Sequence, residues 1–176
     1  MRSVRESLRI WLICLFVALG ALRAAEPGVA GRWVLLRHAE RISLFDKDSA
    51  LSPLGERRAA ALAAVLEKYH PKTLVASNKR RTQQTLAPLA ERSHLPVKIW
   101  EAEQTAQLAA WLKTAAGGGT VIVCWHHDHL RELARALGVP EPIPAWSAFT
   151  YDKLWIIDLE ADGSLKLHVE TQPIRP

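Results

Sequence analysis

The sequence predicts an α/β fold: a three-layer sandwich with a mostly parallel sheet, helices on both faces and a C-terminal β-hairpin at the edge. Three observations lead there. Apolar runs of strand length alternate with stretches of helical period through residues 26–176, the pattern of parallel strands joined by helical crossovers. The last two apolar runs break the alternation by following one another across Asp162-Gly163, as a hairpin does. At 176 residues and 49% hydrophobic composition, the chain can bury one core but not two of ordinary size.

Taken in order, "RWVLLRH" is the first strand and "LSPLGERRAAALAAVLEKY" the first helix. Ser52 and Pro53 suit its N-cap and first turn, and Ala61, Leu62, Val65, Leu66 and Tyr69 form its apolar face. "KTLVAS" and "NKRRTQQTLAPLAERS" are the next strand and helix, with Asn78 as cap and Leu86, Leu89 and Ala90 toward the sheet. "VKIW", "AEQTAQLAAWLKTA", "TVIVCW" and "HLRELARAL" repeat the alternation. The proline-rich "VPEPIPAWSAF" is a loop, and Leu165, Leu167 and Val169 then alternate with Lys166, His168 and Glu170 along the final strand.

The first 25 residues stand outside this pattern. Arg2, Arg5 and Arg9 precede the apolar run Ile10–Leu22, and Ala24 and Ala25 follow it, the order of a secretory signal. The run is shorter than the roughly 20 residues of a membrane span. Residues 1–25 therefore read as a signal peptide, with an uncleaved anchor as the alternative, and residues 26–176 as a single exported domain, periplasmic or secreted. No stable membrane insertion is expected once the signal is removed. Four arginines against Glu6 give this segment +3 of the formal +5. The rest of the chain lacks a Lys/Arg stripe interleaved with aromatics, which argues against a nucleic-acid partner. Cys14 falls in the signal, so Cys124 has no internal disulfide partner and reads as buried filler.

In open α/β sheets, ligands bind at the carboxyl ends of the strands. The first strand runs into Arg37 and His38, the second into Ser77, Arg80 and Arg81, and the fourth into His126, His127, Asp128 and His129. Guanidinium forks match phosphoryl oxygens, and a neutral imidazole is a competent nucleophile toward phosphorus. Such chemistry rests on positioning and charge and calls for no metal or other cofactor. Two other readings remain: a phosphate-binding module with little turnover, and a zinc hydrolase using His126, Asp128 and His129, which are zinc-ligand types. Arginines on the same rim would repel that cation.

The segments "LLRHAER", "LSPLGERRAAAL", "ASNKRRTQQTLAPLA" and the histidines after the fourth strand, in this order, resemble the histidine phosphatase (phosphoglycerate mutase-like) superfamily. The resemblance implies that His38 is the nucleophile and forms a phosphohistidine. It implies that Arg37 and Arg81 bind the phosphate, that Arg80 is a rim charge, and that Gly55 shapes the start of the first helix. It also implies a second histidine from "WHHDHL" on the far side of the phosphoryl group. The commonest family spacing selects His126. A smaller group with Trp-x-His selects His127, which we take, with His126 as the alternative. Asp128, directly after it, is then the general acid, as in the acid phosphatase branch, with Glu101 and Glu103 as the competing candidates. The expected substrate is a small phosphorylated molecule or a phosphoprotein. No insertion is large enough for a cap domain, so an open pocket is expected, and the pattern sets no oligomeric state.

Overall fold

Hydrophobic patterning places two apolar helices on each side of a sheet whose middle strands carry apolar residues on both faces. The computed structural model describes residues 29–174 except residue 116; the expected signal peptide at residues 1–25 lies outside the described residues. The elements run β1 (Val29–Arg37), α1 (Pro53–Glu67), β2 (Pro71–Ser77), α2 (Arg80–Ser93), β3 (Val97–Trp100), α3 (Thr105–Ala115), β4 (Thr120–Trp125), α4 (His127–Leu137), β5 (Lys153–Glu160) and β6 (Leu165–Thr171). The sheet order is β3-β2-β4-β1-β5-β6. The first four strands are parallel, and β5 and β6 add antiparallel at one edge, as the sequence pattern predicts.

Alternation along β1 divides the core. Trp33 and Leu35 face Leu108, Leu112, Leu130, Leu133 and Leu137 of α3 and α4. Val34 and Leu36 face Leu62, Leu66, Leu86 and Leu89 of α1 and α2. Each fully buried leucine contributes roughly 1.5–3 kcal/mol, so these two layers fix the order of the strands. Cys124 is fully buried and free, and burial pushes its thiol well above the ordinary range. The hairpin turns at Gly163 with φ of 83°, a left-handed conformation that glycine adopts without steric cost.

Because β4 lies between β1 and β2, three carboxyl ends become neighbours. The His38 amide donates to Trp125 O at 3.1 Å, carrying the β1–β4 pairing one residue past the strand. Asn78 departs from its expected role as the α2 cap. Its amide donates to Trp100 O at 2.7 Å and its side chain bonds Glu101, so it is drawn toward the end of β3. Lys79 takes the N-cap position, and the Arg80 amide is satisfied by the Asp48 carboxylate at 2.7 Å.

The start of α1 presses on the loop behind His38. Ser52 Oγ accepts from the Gly55 amide at 3.2 Å, and the Ser52 amide donates to Glu40 O at 2.9 Å. A Cβ at Gly55 would lie 2.1 Å from that same Glu40 oxygen, so the residue is set by close approach and not by a left-handed turn. One turn on, Arg58 forks onto the Glu40 carboxylate at 2.9 and 2.7 Å. We expect Gly55→Ala to lower stability by about 2–4 kcal/mol, read as a shift of the urea midpoint; an unchanged midpoint would show that the loop yields freely.

Candidate active site

The three adjoining strand ends enclose a cavity of about 200 Å³ lined by Arg37, His38, Arg41, Lys79, Arg81, Ala102, Glu103 and His126–His129. A larger cavity, about 590 Å³, lies at the opposite end of β1 and β4 between Val29–Arg32 and Gly118–Thr120. It offers one titratable side chain, Arg32, which is tied to Asp158. Size therefore does not mark the chemistry here; the strand carboxyl ends do.

His38 is buried, and its Nδ1 lies 2.8 Å from Ala39 O. A carbonyl only accepts, so Nδ1 carries the proton and the Nε2 lone pair is left available. Burial first, then the nearby Arg81 and Arg37, pull the imidazole down to about 2, against the Ala39 bond, which pulls the other way. His38 is neutral at any ordinary pH.

Arg37 is held by the loop before β5. Its Nη1 donates to Ala148 O at 2.5 Å and Thr150 O at 3.2 Å, and its Nη2 to the Tyr151 hydroxyl at 3.1 Å. The guanidinium carbon also lies 3.9 Å from the centre of the Tyr151 ring, a cation–π contact. Arg81 donates from Nη1 to Lys47 O at 2.9 Å and from Nη2 to His126 Nδ1 at 3.2 Å. Arginine cannot accept, so His126 is protonated at Nε2, which donates to Ser77 Oγ at 2.9 Å. Burial first, then Arg81, lowers His126 to about 3. Among the described residues, the buried Nε groups of Arg37, Arg41 and Arg81 all lack a hydrogen-bond partner, an unusual set for one pocket.

Of the two histidines weighed from the sequence, His126 stands against the nucleophile candidate, with ring centroids 5.6 Å apart. His127 opens α4, lines the mouth of the same cavity and remains partly exposed. The structure brings Asp128 and Glu103 to the cavity and leaves Glu101 outside its lining, bonded to Asn78. His129 lines the rim, and Arg80 is exposed. Arg41, Lys79 and Tyr151 were not singled out from the sequence. Arg41 lies in the same "RHAER" segment as His38, so its proximity was available as a signal; Tyr151 arrives by tertiary closure and had none.

The zinc reading finds no support in this geometry. Both ring nitrogens of His126 are engaged by Arg81 and Ser77. Among the described residues no three His, Cys, Asp or Glu side chains gather to hold a metal ion.

A sequence model of the Histidine phosphatase superfamily (branch 1) matches residues 33–104. A glucosyl-3-phosphoglycerate phosphatase of Mycolicibacterium vanbaalenii is 34% identical over 86 residues, 46% of this chain and 38% of that protein. The match thus spans well under half of that curated relative. Among solved structures, a mycobacterial glucosyl-3-phosphoglycerate phosphatase superposes with a TM-score of 0.63 at 20% identity, covering 82% of this chain and 99% of that one. The protein histidine phosphatase SixA, complexed with tungstate, gives 0.63 at 18% identity, covering 81% and 97%. At these identities the structural likeness shows the fold.

Two neutral buried histidines make stability depend on pH. Below about 6.5 the unfolded chain binds protons that folded His38 and His126 refuse, so stability is full above that value and falls as pH drops toward 3. Each histidine contributes a loss of up to about 1.4 kcal/mol per pH unit. Urea titrations at pH 7.5 and 5.0 should show a clear drop for the wild type and a smaller one for His126→Asn; equal drops would mean that folded His126 takes up a proton.

Proposed function

We propose that the chain, similar over residues 33–104 to the histidine phosphatase superfamily, hydrolyses a phosphomonoester through a phosphohistidine on His38, with no metal in the reaction. The observation that carries this reading is the state of His38: a neutral ring with Nδ1–H committed to Ala39 O and Nε2 unprotonated, in a pocket lined by Arg37 and Arg81. The phosphatase among the curated proteins it resembles, and the like fold of a SixA structure complexed with tungstate, support a phosphoryl substrate.

In the first step His38 Nε2 attacks phosphorus in line, the N–P bond forms and the ester P–O bond breaks. Arg37, Arg41 and Arg81 neutralise the equatorial oxygens, where charge accumulates. His126 holds Arg81 at the angle that meets them. The leaving alkoxide takes a proton from a carboxyl group. In the second step water attacks phosphorus, the N–P bond breaks, the same carboxylate takes the water proton, and phosphate leaves with His38 neutral again. Asp128 is the better donor candidate of the two carboxylates at the cavity, because Glu103 is paired with Lys79 while Asp128 lines the pocket beside His126 and His127. Export to the periplasm or exterior, read from residues 1–25, stays part of this proposal.

Rapid acid and alkali quenching after mixing with p-nitrophenyl phosphate should trap an alkali-stable, acid-labile phosphoprotein. The label should be absent in His38→Ala; steady turnover by that variant would sink the assignment. Vanadate should inhibit, and EDTA should leave activity intact.

Two variant pairs test the remaining roles. Asp128→Asn should slow hydrolysis of an alkyl phosphate by roughly 10²–10⁴-fold and that of p-nitrophenyl phosphate far less, since its leaving group needs no proton. Glu103→Gln should change neither by as much, and the reverse order would move the acid to Glu103. Likewise kcat should fall further in His126→Ala than in His127→Ala; the opposite ranking would restore His127 to the second-histidine role.

A further inference from the structure

Among the described residues, the four most exposed large apolar side chains are Ile42, Leu44, Phe45 and Phe149, at 69%, 67%, 99% and 90%. All four lie on the two loops whose backbone holds the pocket arginines. Lys47 O accepts from Arg81 on one side, and Ala148 O and Thr150 O accept from Arg37 on the other.

The first of these loops has its polarity reversed. Ser49 is buried, with its Oγ accepting from the Ser43 amide at 3.0 Å. Ser43 Oγ accepts from the amides of Phe45 and Asp46, and Asp48 reaches the first turn of α2. The turn is thus tied down by polar groups turned inward, while its three large apolar side chains face solvent. Apolar surface gathered and exposed in this way marks a contact site.

The cavity itself, about 200 Å³ with Ala102 its one apolar lining residue, has room for a phosphoryl group but not for a sizeable alcohol. The leaving group must project past the rim. We propose that the substrate is an amphiphilic phosphomonoester whose apolar chain lies across Phe45, Leu44, Ile42 and Phe149 while its phosphate occupies the pocket. This rests on reading the pocket as a phosphoryl site. A second copy of the chain seated on both loops would cap the pocket, whereas an amphiphile fills pocket and rim at once.

The test uses n-alkylphosphonates from ethyl to octyl, below their aggregation concentrations, in titration calorimetry with the whole protein. They carry the phosphoryl head group but no ester bond, so affinity is read without turnover. Burying a methylene fully is worth about 4-fold in affinity, and one-sided contact with a rim roughly half that exponent, so Kd should fall roughly 2-fold per methylene. Ethyl to octyl should then differ by about 10–100-fold. In the Phe45→Ser/Phe149→Ser double variant the octyl-to-ethyl ratio should collapse toward one. A flat series with ethylphosphonate bound overturns the inference and leaves the phosphoryl site standing, as does a slope that survives in the double variant. A flat series joined to phenylalanine-dependent dimerisation, or to binding of plain phosphatidylcholine vesicles, gives the loops to a second copy or a bilayer instead. Failure to bind any phosphonate, inorganic phosphate or vanadate removes the phosphoryl site, and this inference with it.

Discussion

Arg37 and Arg81 are 3% and 8% exposed, and among the described residues neither is paired with a carboxylate. Arg58, as deeply placed, shows the ordinary solution: it forks onto Glu40, and although burial alone would push that carboxyl up, the Arg58 bonds hold it below its usual range. Arg37 and Arg81 are satisfied instead by backbone carbonyls, the Tyr151 hydroxyl and an imidazole nitrogen. A carbonyl takes up a hydrogen bond and cancels no charge, so the positive field at the end of the sheet survives folding at a real cost in desolvation. Burial first, and the same unpaired cations second, keep His38 and His126 neutral. An imidazole taken out of water beside an unpaired guanidinium resists protonation on both counts.

That condition also dictates what the loops must do. Carbonyl acceptors have to come from irregular backbone, because those within strands and helices are spent on their own ladders. The 42–50 loop supplies Lys47 O, and the 147–151 segment supplies Ala148 O, Thr150 O and Tyr151. Each loop is fixed in turn. Gln172, buried at the end of β6, donates to Tyr151 O at 3.1 Å and accepts from Arg58 at 3.4 Å. Arg58 grips Glu40, two residues after His38, and Gly55 lets the helix bearing Arg58 come close enough to do so. The C-terminal hairpin, remote in sequence, is thereby tied to the nucleophile loop and to the anchor of Arg37.

The alternation of apolar runs was enough to read the layers, the edge hairpin and the convergence of Arg37, His38, Arg81 and the later histidines on one rim. What stayed hidden has physical causes. The register of "WHHDH" stayed open because every residue of β4 is buried; a strand covered on both faces shows no period of two from which to read the facing of His126 or His127. In the structure the strand ends at Trp125, and the next residue, His126, meets Ser77 and Arg81. Asn78 has the right side chain for a cap, but a nearby strand end competed for it. Tyr151 follows a proline-rich loop with no periodicity, and only the antiparallel return of β5 beside β1 delivers it to Arg37.

On the proposed reading, recognition of the phosphoryl group is separate from recognition of what it is attached to. The strand ends and their buried cations are sufficient for an oxyanion, and that part of the molecule is what the family match over residues 33–104 largely covers. The 147–151 segment lies outside that match, yet its carbonyls set the angle of Arg37. A residue that changes the loop's outer surface therefore also bears on Arg37 through the backbone it shares. On the proposed function, leaving-group preference and phosphoryl binding are for this reason mechanically coupled, since a change in the 147–151 segment also moves the carbonyls that hold Arg37.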